Sequence, residues 1–364
     1  MSRPIRVGIT HGDPNGISYE VILKALADER ICELCTPVVF GSAKLIGYYR
    51  KTLGIDDVNY NGISDPGYIR DGVPNILNIS QEEFKVDMGI PTAESGRAAL
   101  MSIEAACDAL QAGYIDVLVT SPISKEAIHL AGSPYAGHTE MLQDLIGGGS
   151  KATMILFDEK IRVALVTTHL PIRDVADAIT TDSVANAIAS FANSLKRDFR
   201  IECPKIAVLA LNPHAGDNGV AGFEERDVIT PAIDQCVENK IVAFGPFPAD
   251  GFFGSGAYKD FDGVLAMYHD QGLVPFKLMA GREGVNYTAG LPFVRTSPDH
   301  GTGYDIVGRG KADEYSMRQA IYAAIDIYRA RTDFDRASAN PLRKQYQERG
   351  ADRTIDLTVD DPEF

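Results

Sequence analysis

Three histidines stand in matching places. His169 closes ALVTTH, His214 follows IAVLALNPH and His269 closes VLAMYH, each at the carboxyl end of an apolar run that reads as a buried strand. The spacings are 45 residues (169 to 214) and 55 residues (214 to 269). Each is about one strand–helix–strand crossover or a little more, so the three imidazoles can converge on one point. Three neutral imidazoles around an open position suit a catalytic divalent metal. Such a site activates water for hydrolysis, or polarises a hydroxyl or ketone as a Lewis acid; spacing does not choose between them. One histidine alone would read as an ordinary turn residue, and His129 in KEAIHLAG is read that way, as structural.

A second group of residues suits an anion. GHTE at 137–140 opens a helix, with Thr139 as the expected N-cap and His138 beside it. Free backbone N–H groups and the helix dipole favour phosphate there. Lys277 follows GLVPF, Arg295 follows LPFV, and Asn286 lies in GVNYTAG. These three can clamp phosphate and carboxylate, Arg by paired hydrogen bonds. GDPNG at 12–16 looks like a phosphate turn but is neither a Walker A loop nor G-x-G-x-x-G. Asp13 would repel a phosphate, so His11 and Asp13 are expected to orient other groups. The loop TSPDHGTGYDIVGRGKAD, 296–313, has four glycines that let backbone approach a ligand, and His300, Asp305, Arg309 and Lys311 that can read a nucleotide.

Alternating strands and helices must position these groups. The patterns predict strands at Ile5–Thr10, Pro37–Phe40, Val117–Thr120, Met154–Phe157, Val163–Val166, Ile206–Leu211 and Gly263–Tyr268. Helices are predicted at Ser18–Leu26, Ala43–Leu53, from Thr92 onward, at Asp182–Leu195 and at Glu224–Val237. Met317, Ala320, Ile321, Ala324 and Tyr328 mark a late amphipathic helix. Residues 55–90 are rich in Asp, Asn, Gly and Pro and read as an insertion or edge strands. The alternation predicts an α/β fold with largely parallel, buried sheets, and ligands at strand carboxyl ends.

Composition narrows the partners. At 364 residues the chain is long for a single core. A formal charge of −15 leaves no basic stripe for nucleic acid, so an anionic ligand needs a locally basic pocket. No apolar run is long enough for a membrane span. The opening MSRPIRVGITHGD lacks the pattern of a signal peptide, and five scattered cysteines suit a reducing compartment. A cytoplasmic protein is expected. Cys32 and Cys35 form a C-x-x-C with no second pair at zinc-ribbon spacing.

GDPNGI, VTSPISKEAI, GHTEML, TTHLP, LNPHAGDNG, GPFPADGFF, YHDQGLVPFK and GVNYTAGLPFVRTSPDHGTGYDI run along nearly the whole chain. Together they resemble the 4-hydroxythreonine-4-phosphate dehydrogenase family of pyridoxal phosphate biosynthesis. The resemblance implies two α/β/α lobes like those of isocitrate and isopropylmalate dehydrogenases. One is expected from 1–140 plus 300–364, with a cofactor loop at 296–313. The other is expected from 141–299, with the metal histidines and a dimer contact. It implies a homodimer with a shared site, where His169, His214 and His269 hold one divalent metal and one of them comes from the partner. Zinc comes first, with magnesium, manganese or cobalt as alternatives. It implies that His138, Thr139, Lys277, Asn286 and Arg295 bind a small phosphorylated substrate. Asp299, His300, Gly301, Gly303 and Asp305 would bind NAD or NADP, and Lys277 or Asp250 would move the proton. The family usually reads GDPAGIGPE where this chain reads GDPNGISYE. Asn15, Ser18 and Tyr19 therefore leave open a paralogue acting on erythronate or threonate 4-phosphate. A three-histidine hydrolase is the alternative of another class.

Overall fold

The computed structural model describes residues 3–340 apart from 56, 81–83 and 136. The end of the expected first lobe, 341–364, lies outside the described residues, as does part of the 55–90 segment. The strands are β1 (Arg6–Thr10), β2 (Thr36–Gly41), β3 (Asn61–Ile63), β4 (Asn75–Asn78), β5 (Val117–Thr120), β6 (Thr153–Phe157), β7 (Arg162–Leu165), β8 (Lys205–Leu209), β9 (Val242–Phe247), β10 (Gly263–Ala266), β11 (Val285–Ala289) and β12 (Arg295–Pro298). The helices are α1 (Ser18–Leu26), α2 (Ile31–Leu34), α3 (Ala43–Leu53), α4 (Ala93–Gln111), α5 (Lys125–Leu130), α6 (His138–Ile146), α7 (Val175–Ala178), α8 (Thr181–Arg197), α9 (Thr230–Glu238), α10 (Ala249–Gly254), α11 (His269–Ala280) and α12 (Tyr315–Ser338).

All the strands join one twelve-stranded sheet, ordered β3-β4-β2-β1-β5-β12-β11-β6-β7-β10-β8-β9. Its two wings, β3 to β12 and β7 to β9, are each parallel within themselves. Between them β12, β11, β6 and β7 pair antiparallel. Three reversals separate β12 from β7, so the wings run in opposite directions. The fold is α/β with a largely parallel sheet, as expected. Parallel strands covered on both faces read as continuous apolar runs, and β2 is buried at every position. Residues 55–90 supply the short strands β3 and β4 at one edge.

Several predicted boundaries shift for local reasons. The strand expected through Tyr268 ends at Ala266, and His269 opens α11 rather than a turn. The next N–H, of Met267, donates to Oε1 of Gln271 at 2.7 Å, while Gln271 Nε2 donates to the Ala210 carbonyl at 2.6 Å. One amide thus replaces the ladder at the ends of both β10 and β8. The helix expected from Glu224 begins instead with a π-helical turn at Glu225–Ile229.

The late helix α12 buries Met317, Ala320, Ile321 and Ala324 against the sheet. Farther along, Arg331 is buried with Asp198 after α8 and Tyr287 in β11. Its Nε donates to Asp198 Oδ1 at 3.0 Å and its NH2 to the Tyr287 hydroxyl at 2.7 Å. The same hydroxyl donates to Asp198 Oδ2 at 2.7 Å. Removing one member would leave a buried charge unpaired, at a cost of roughly 3–5 kcal/mol.

Under the first turn, His11, Tyr19 and Tyr49 stack with successive ring centroids 5.4 Å apart. Burial pushes the His11 imidazole down to about 4, and its bond to the Ala98 carbonyl only partly opposes this. Between the unfolded value of about 6.5 and the folded value of about 4, the unfolded chain binds a proton that the folded chain refuses. Stability is therefore full above the unfolded value and falls as pH drops through that window. The loss should be on the order of 3 kcal/mol. The variant His11→Phe, which cannot titrate, should show a flatter thermal midpoint from pH 6.5 to pH 4, measured by calorimetry.

Candidate active site

The middle of the sheet carries a buried cation without a buried anion. Arg295 opens β12 and is 2% exposed. Its Nε and NH2 donate to the Thr120 hydroxyl, at 2.9 and 2.5 Å, and NH1 donates to the Thr288 hydroxyl at 2.8 Å. Desolvation lowers its pKa to about 10, which still leaves it charged at neutral pH. Thr288 pairs across from Arg295, and Asn286 lies two residues before it on the same face of β11.

Around this guanidinium several buried polar atoms have no protein partner: His138 Nε2, Ser121 Oγ and Asn286 Oδ1. Buried polar groups are normally satisfied, so this cluster is set out for a ligand. Burial, with the nearby Arg295 charge adding to it, holds the His138 imidazole well below its ordinary range; its bond to the Ser121 backbone works the other way. It is neutral near pH 7, and with its one N–H given to the Ser121 carbonyl, Nε2 carries the lone pair and donates only when the ring takes up a proton. The helix α6 does start at GHTE, but Gly137 is its N-cap, and no side chain caps it. Thr139 is inside the first turn, which corrects its predicted role as cap and leaves its hydroxyl free of that duty.

The metal histidines come only partly together. They follow β7, β8 and β10, which are neighbours in the sheet. The rings of His169 and His269 face each other with centroids 6.0 Å apart. Two ligands of one metal, each bonded at about 2.1 Å, would have ring centres roughly 5 Å apart. Asp270 Oδ1 lies 2.7 Å from His269 Nδ1. If it accepts from an Nδ1–H, the Nε2 lone pair remains for a metal. His214 does not join them: among the described residues, no three His, Cys, Asp or Glu side chains meet in metal-holding geometry. Convergence within one chain is thus corrected to a pair plus an outlying third. His214 to Asn218 all adopt left-handed backbone just after β8. Desolvation, then Lys125, keep His169 below its usual value, and Glu140 opposes them. Lys125 and Glu140 on α5 and α6 are thus within electrostatic reach of the histidine pair.

A third corner lies at the carboxyl end of β12. Lys277 on α11 pairs with Asp299, Nζ reaching both its carboxylate and its backbone carbonyl at 3.1 Å. Burial pushes the Asp299 carboxyl above the usual range, with Lys277 pulling it back. A cavity of about 270 Å³ beside them is lined by Ile17, Gly284, Asp299, His300, Ile306 and Asp313. Buried His300 Nε2 is without a partner there. Asp299 and His300 therefore fit a ligand pocket, whereas Gly301 and Asp305 are exposed outside it. Gly303 is needed for another reason than close approach of a ligand: its φ is +55° and a Cβ would strike Ile17. Gly308 likewise packs against Met88.

That loop is held from below by the first turn and helix. Tyr304 donates its hydroxyl to Asp13 Oδ2 at 2.5 Å, and the Ile17 N–H donates to the Thr302 carbonyl at 2.9 Å. Glu20 Oε1 accepts from the Ala312 N–H, while Lys24 donates to the carbonyls of Gly310 and Ala312. Asp13 therefore shapes the loop, in keeping with the sequence expectation. The unusual residues of GDPNGISYE are used internally. Asn15 bonds Ile90, Thr92 and Asp87; Ser18 donates to Pro122; Tyr19 accepts from Ser42. All three are fully buried and turned to these internal partners, so they do not support a change of specificity.

Sequence reasoning missed Ser121, Thr120, Thr288 and Lys125. TSPISK, directly after a strand at the expected ligand edge, was the signal for three of them. Asp250, in the first turn of α10, is exposed and makes no contact with Lys277 among the described residues.

A profile described as "Pyridoxal phosphate biosynthetic protein PdxA" matches residues 33–324. A 4-hydroxythreonine-4-phosphate dehydrogenase of Bacteroides thetaiotaomicron is 50% identical over 351 residues, covering 96% of this chain and 95% of its own length. A Cutibacterium acnes protein provisionally named D-threonate 4-phosphate dehydrogenase is 38% identical over 341 residues, covering 90% and 95%. The crystal structure of the 4-hydroxythreonine-4-phosphate dehydrogenase from Klebsiella pneumoniae has a TM-score of 0.77 at 35% identity, covering 90% of this chain and 98% of that one.

The unpartnered atoms around Arg295 should take inorganic phosphate alone. Phosphate at 100 times its Kd should stabilise the protein by about 2.7 kcal/mol, read as a rise in thermal midpoint. Asn286→Asp puts a like charge beside the anion and should abolish the rise. A variant that keeps the full rise would remove this pocket as the anion site.

Proposed function

The chain belongs to the PdxA family of pyridoxal phosphate biosynthetic proteins, and from that we propose that it oxidises and decarboxylates 4-hydroxythreonine 4-phosphate. It is an oxidoreductase, a dehydrogenase like its named relatives. The observation that carries the proposal is the buried Arg295 with unpartnered His138, Ser121 and Asn286, together with the His169–His269 pair, ring centroids 6.0 Å apart. A phosphorylated substrate with an adjacent hydroxyl needs both features.

Arg295, His138, Thr139 and Asn286 hold the phosphate, with Ser121 as a further donor. Lys277 extends toward the same site from α11, steadied by Asp299. Oxidation removes the C3 hydrogen as hydride and the hydroxyl proton to a base, and C3 becomes a ketone. The bond to the carboxylate then breaks, CO2 departs, and its electron pair stays on C2. A proton returned to C2 completes 3-amino-2-oxopropyl phosphate. Lys277 moves these protons in this reading, with Asp250, exposed in the first turn of α10, as the other candidate. A divalent metal, zinc first, held by His169, His269 and the partner subunit's His214, would supply Lewis acidity at the substrate hydroxyl. NAD or NADP beside Asp299 and His300 would take up the hydride. The free thiols and the dinucleotide fit a cytoplasmic enzyme.

The shared site follows from what the single chain leaves open. His214 is exposed and outside the histidine pair, and apolar side chains stand in solvent after β7 (Leu170, Ile172), after β8 (Val220, Phe223) and on α11 (Val274, Leu278). Val220 and Leu278 are 84% and 81% exposed. A second copy covering this face in two-fold symmetry would bury them and bring in the missing imidazole. We place the lobe boundary at the antiparallel seam between β12 and β7, with the cofactor loop in the first lobe.

Threonate 4-phosphate is the second reading, favoured by the naming of the Cutibacterium relative. It needs the same phosphate, metal and hydride positions. The hydrolase reading is set aside because the chain belongs to a dehydrogenase family.

The test is absorbance of the reduced nicotinamide with protein, metal and dinucleotide. Signal with 4-hydroxythreonine 4-phosphate is expected; signal with threonate 4-phosphate alone would favour the second reading. His169→Ala and His214→Ala should each be inactive. Co-refolded, they should recover about a quarter of wild-type activity, since half the dimers are mixed and one site in each is intact. No recovery would mean that the histidines are not shared across subunits.

A further inference from the structure

The segment that carries His214 is built around a buried carboxylate. Five consecutive residues, His214 to Asn218, have φ between 43° and 77°. Left-handed backbone at the non-glycine positions is unfavourable and persists only where surroundings fix it. Glu225, 5% exposed, lies against it at Gly216. Its Oε1 accepts from the backbone N–H groups of Leu211 and Asn212 at 2.9 and 2.7 Å. Its Oε2 accepts from Asn212 Nδ2 at 3.0 Å, and the same amide donates to Glu224 Oε2 at 2.7 Å.

The rest of the loop closes tightly on this pair of carboxylates. A Cβ on Gly216 would lie 2.6 Å from Glu225 Oε2, and one on Gly222 would lie 2.4 Å from Asn212 Nδ2. Both glycines also have positive φ. Glu225 stands at the start of the π-helical turn Glu225–Ile229. Such turns widen a helix by one residue and re-aim a side chain, often at functional sites.

We infer that Glu225 is the positioning residue for His214. Its carboxylate takes the two N–H groups just before Pro213 and so sets where the strand β8 stops and the left-handed segment begins. That in turn fixes the direction in which the imidazole leaves the chain. The inference rests on reading His214 as a metal ligand given to the partner's histidine pair. Partners one step behind a ligand typically change metal affinity by 10- to 100-fold when removed.

The test uses the full-length protein stripped of metal. Zinc affinity is measured by calorimetric titration for wild type, His214→Ala, Glu225→Gln and Gly216→Ala. Dinucleotide affinity and the thermal midpoint of the metal-free protein are followed alongside. Glu225→Gln should bind zinc at least about tenfold more weakly, with unchanged dinucleotide affinity, and Glu225→Asp should recover part of the loss. A purely structural role would lower the thermal midpoint and dinucleotide affinity together. Gly216→Ala presses on the same carboxylate from the loop side and should show the same selective loss. It decides the matter if Glu225→Gln does not fold. Wild-type zinc affinity in these variants, with affinity lost in His214→Ala, would overturn the positioning role alone. Unchanged affinity in His214→Ala would overturn the ligand reading and this inference with it.

Discussion

A guanidinium buried in the middle of a sheet, with threonine hydroxyls as its protein partners, sets the terms for everything around it. Arg295 is charged, and hydroxyl dipoles recover only part of what it loses on leaving water. The pocket therefore favours an anion before any other contact is counted. Ser121 adds a neutral hydroxyl donor near the cation, and burial keeps His138 uncharged beside it. A protein with a net charge of −15 concentrates attraction for its ligand in one place in this way.

Sheet topology explains how the other groups reach that cation. If all strands ran one way, β5 and β12 would deliver their loops to the same edge as β7, β8 and β10. Reversal through β11 and β6 sends the second wing the other way. The segments after β7 and β10 can then approach the start of β12, where Arg295 sits, and the loop after β12 has its own cavity beside Asp299.

Much of this was legible in the residues. Apolar runs of the right length gave most strands within one or two positions, because buried parallel strands carry an unbroken signal. The helix Ser18–Leu26 and the strand Val117–Thr120 coincide with their predicted bounds. The three histidines were visible as a repeated context after strands. What was not legible depends on geometry that no local pattern encodes. Gln271 ends two strands at once through contacts with Met267 and Ala210, the latter 61 residues away. Thr139 resembles a cap, but Gly137 takes that place. The glycines of 296–313 suggested a bound ligand, whereas Gly303 and Gly308 make room for Ile17 and Met88. The left-handed run at His214 is a further case: Gly216, Asp217 and Asn218 tolerate that backbone, but nothing in the local pattern extends it to His214 and Ala215.

The ties between the first helix and the loop after β12 have a consequence for how the protein is made. Glu20 receives the Ala312 N–H across 292 residues of sequence, and Tyr304 reaches Asp13 across 291. A ribosome delivers the amino end first, and domains tend to assemble as they emerge. Here the earliest helix must wait for nearly the last described segment before its carboxylate is covered. Strand β5 waits likewise for β12 as its neighbour. The wing formed by β1 to β5 is thus completed only after β12 and the loop behind it have been made, while β7, β8, β9 and β10 are contiguous enough to close on their own beforehand. The segment from β7 to β10 is the part that can mature first.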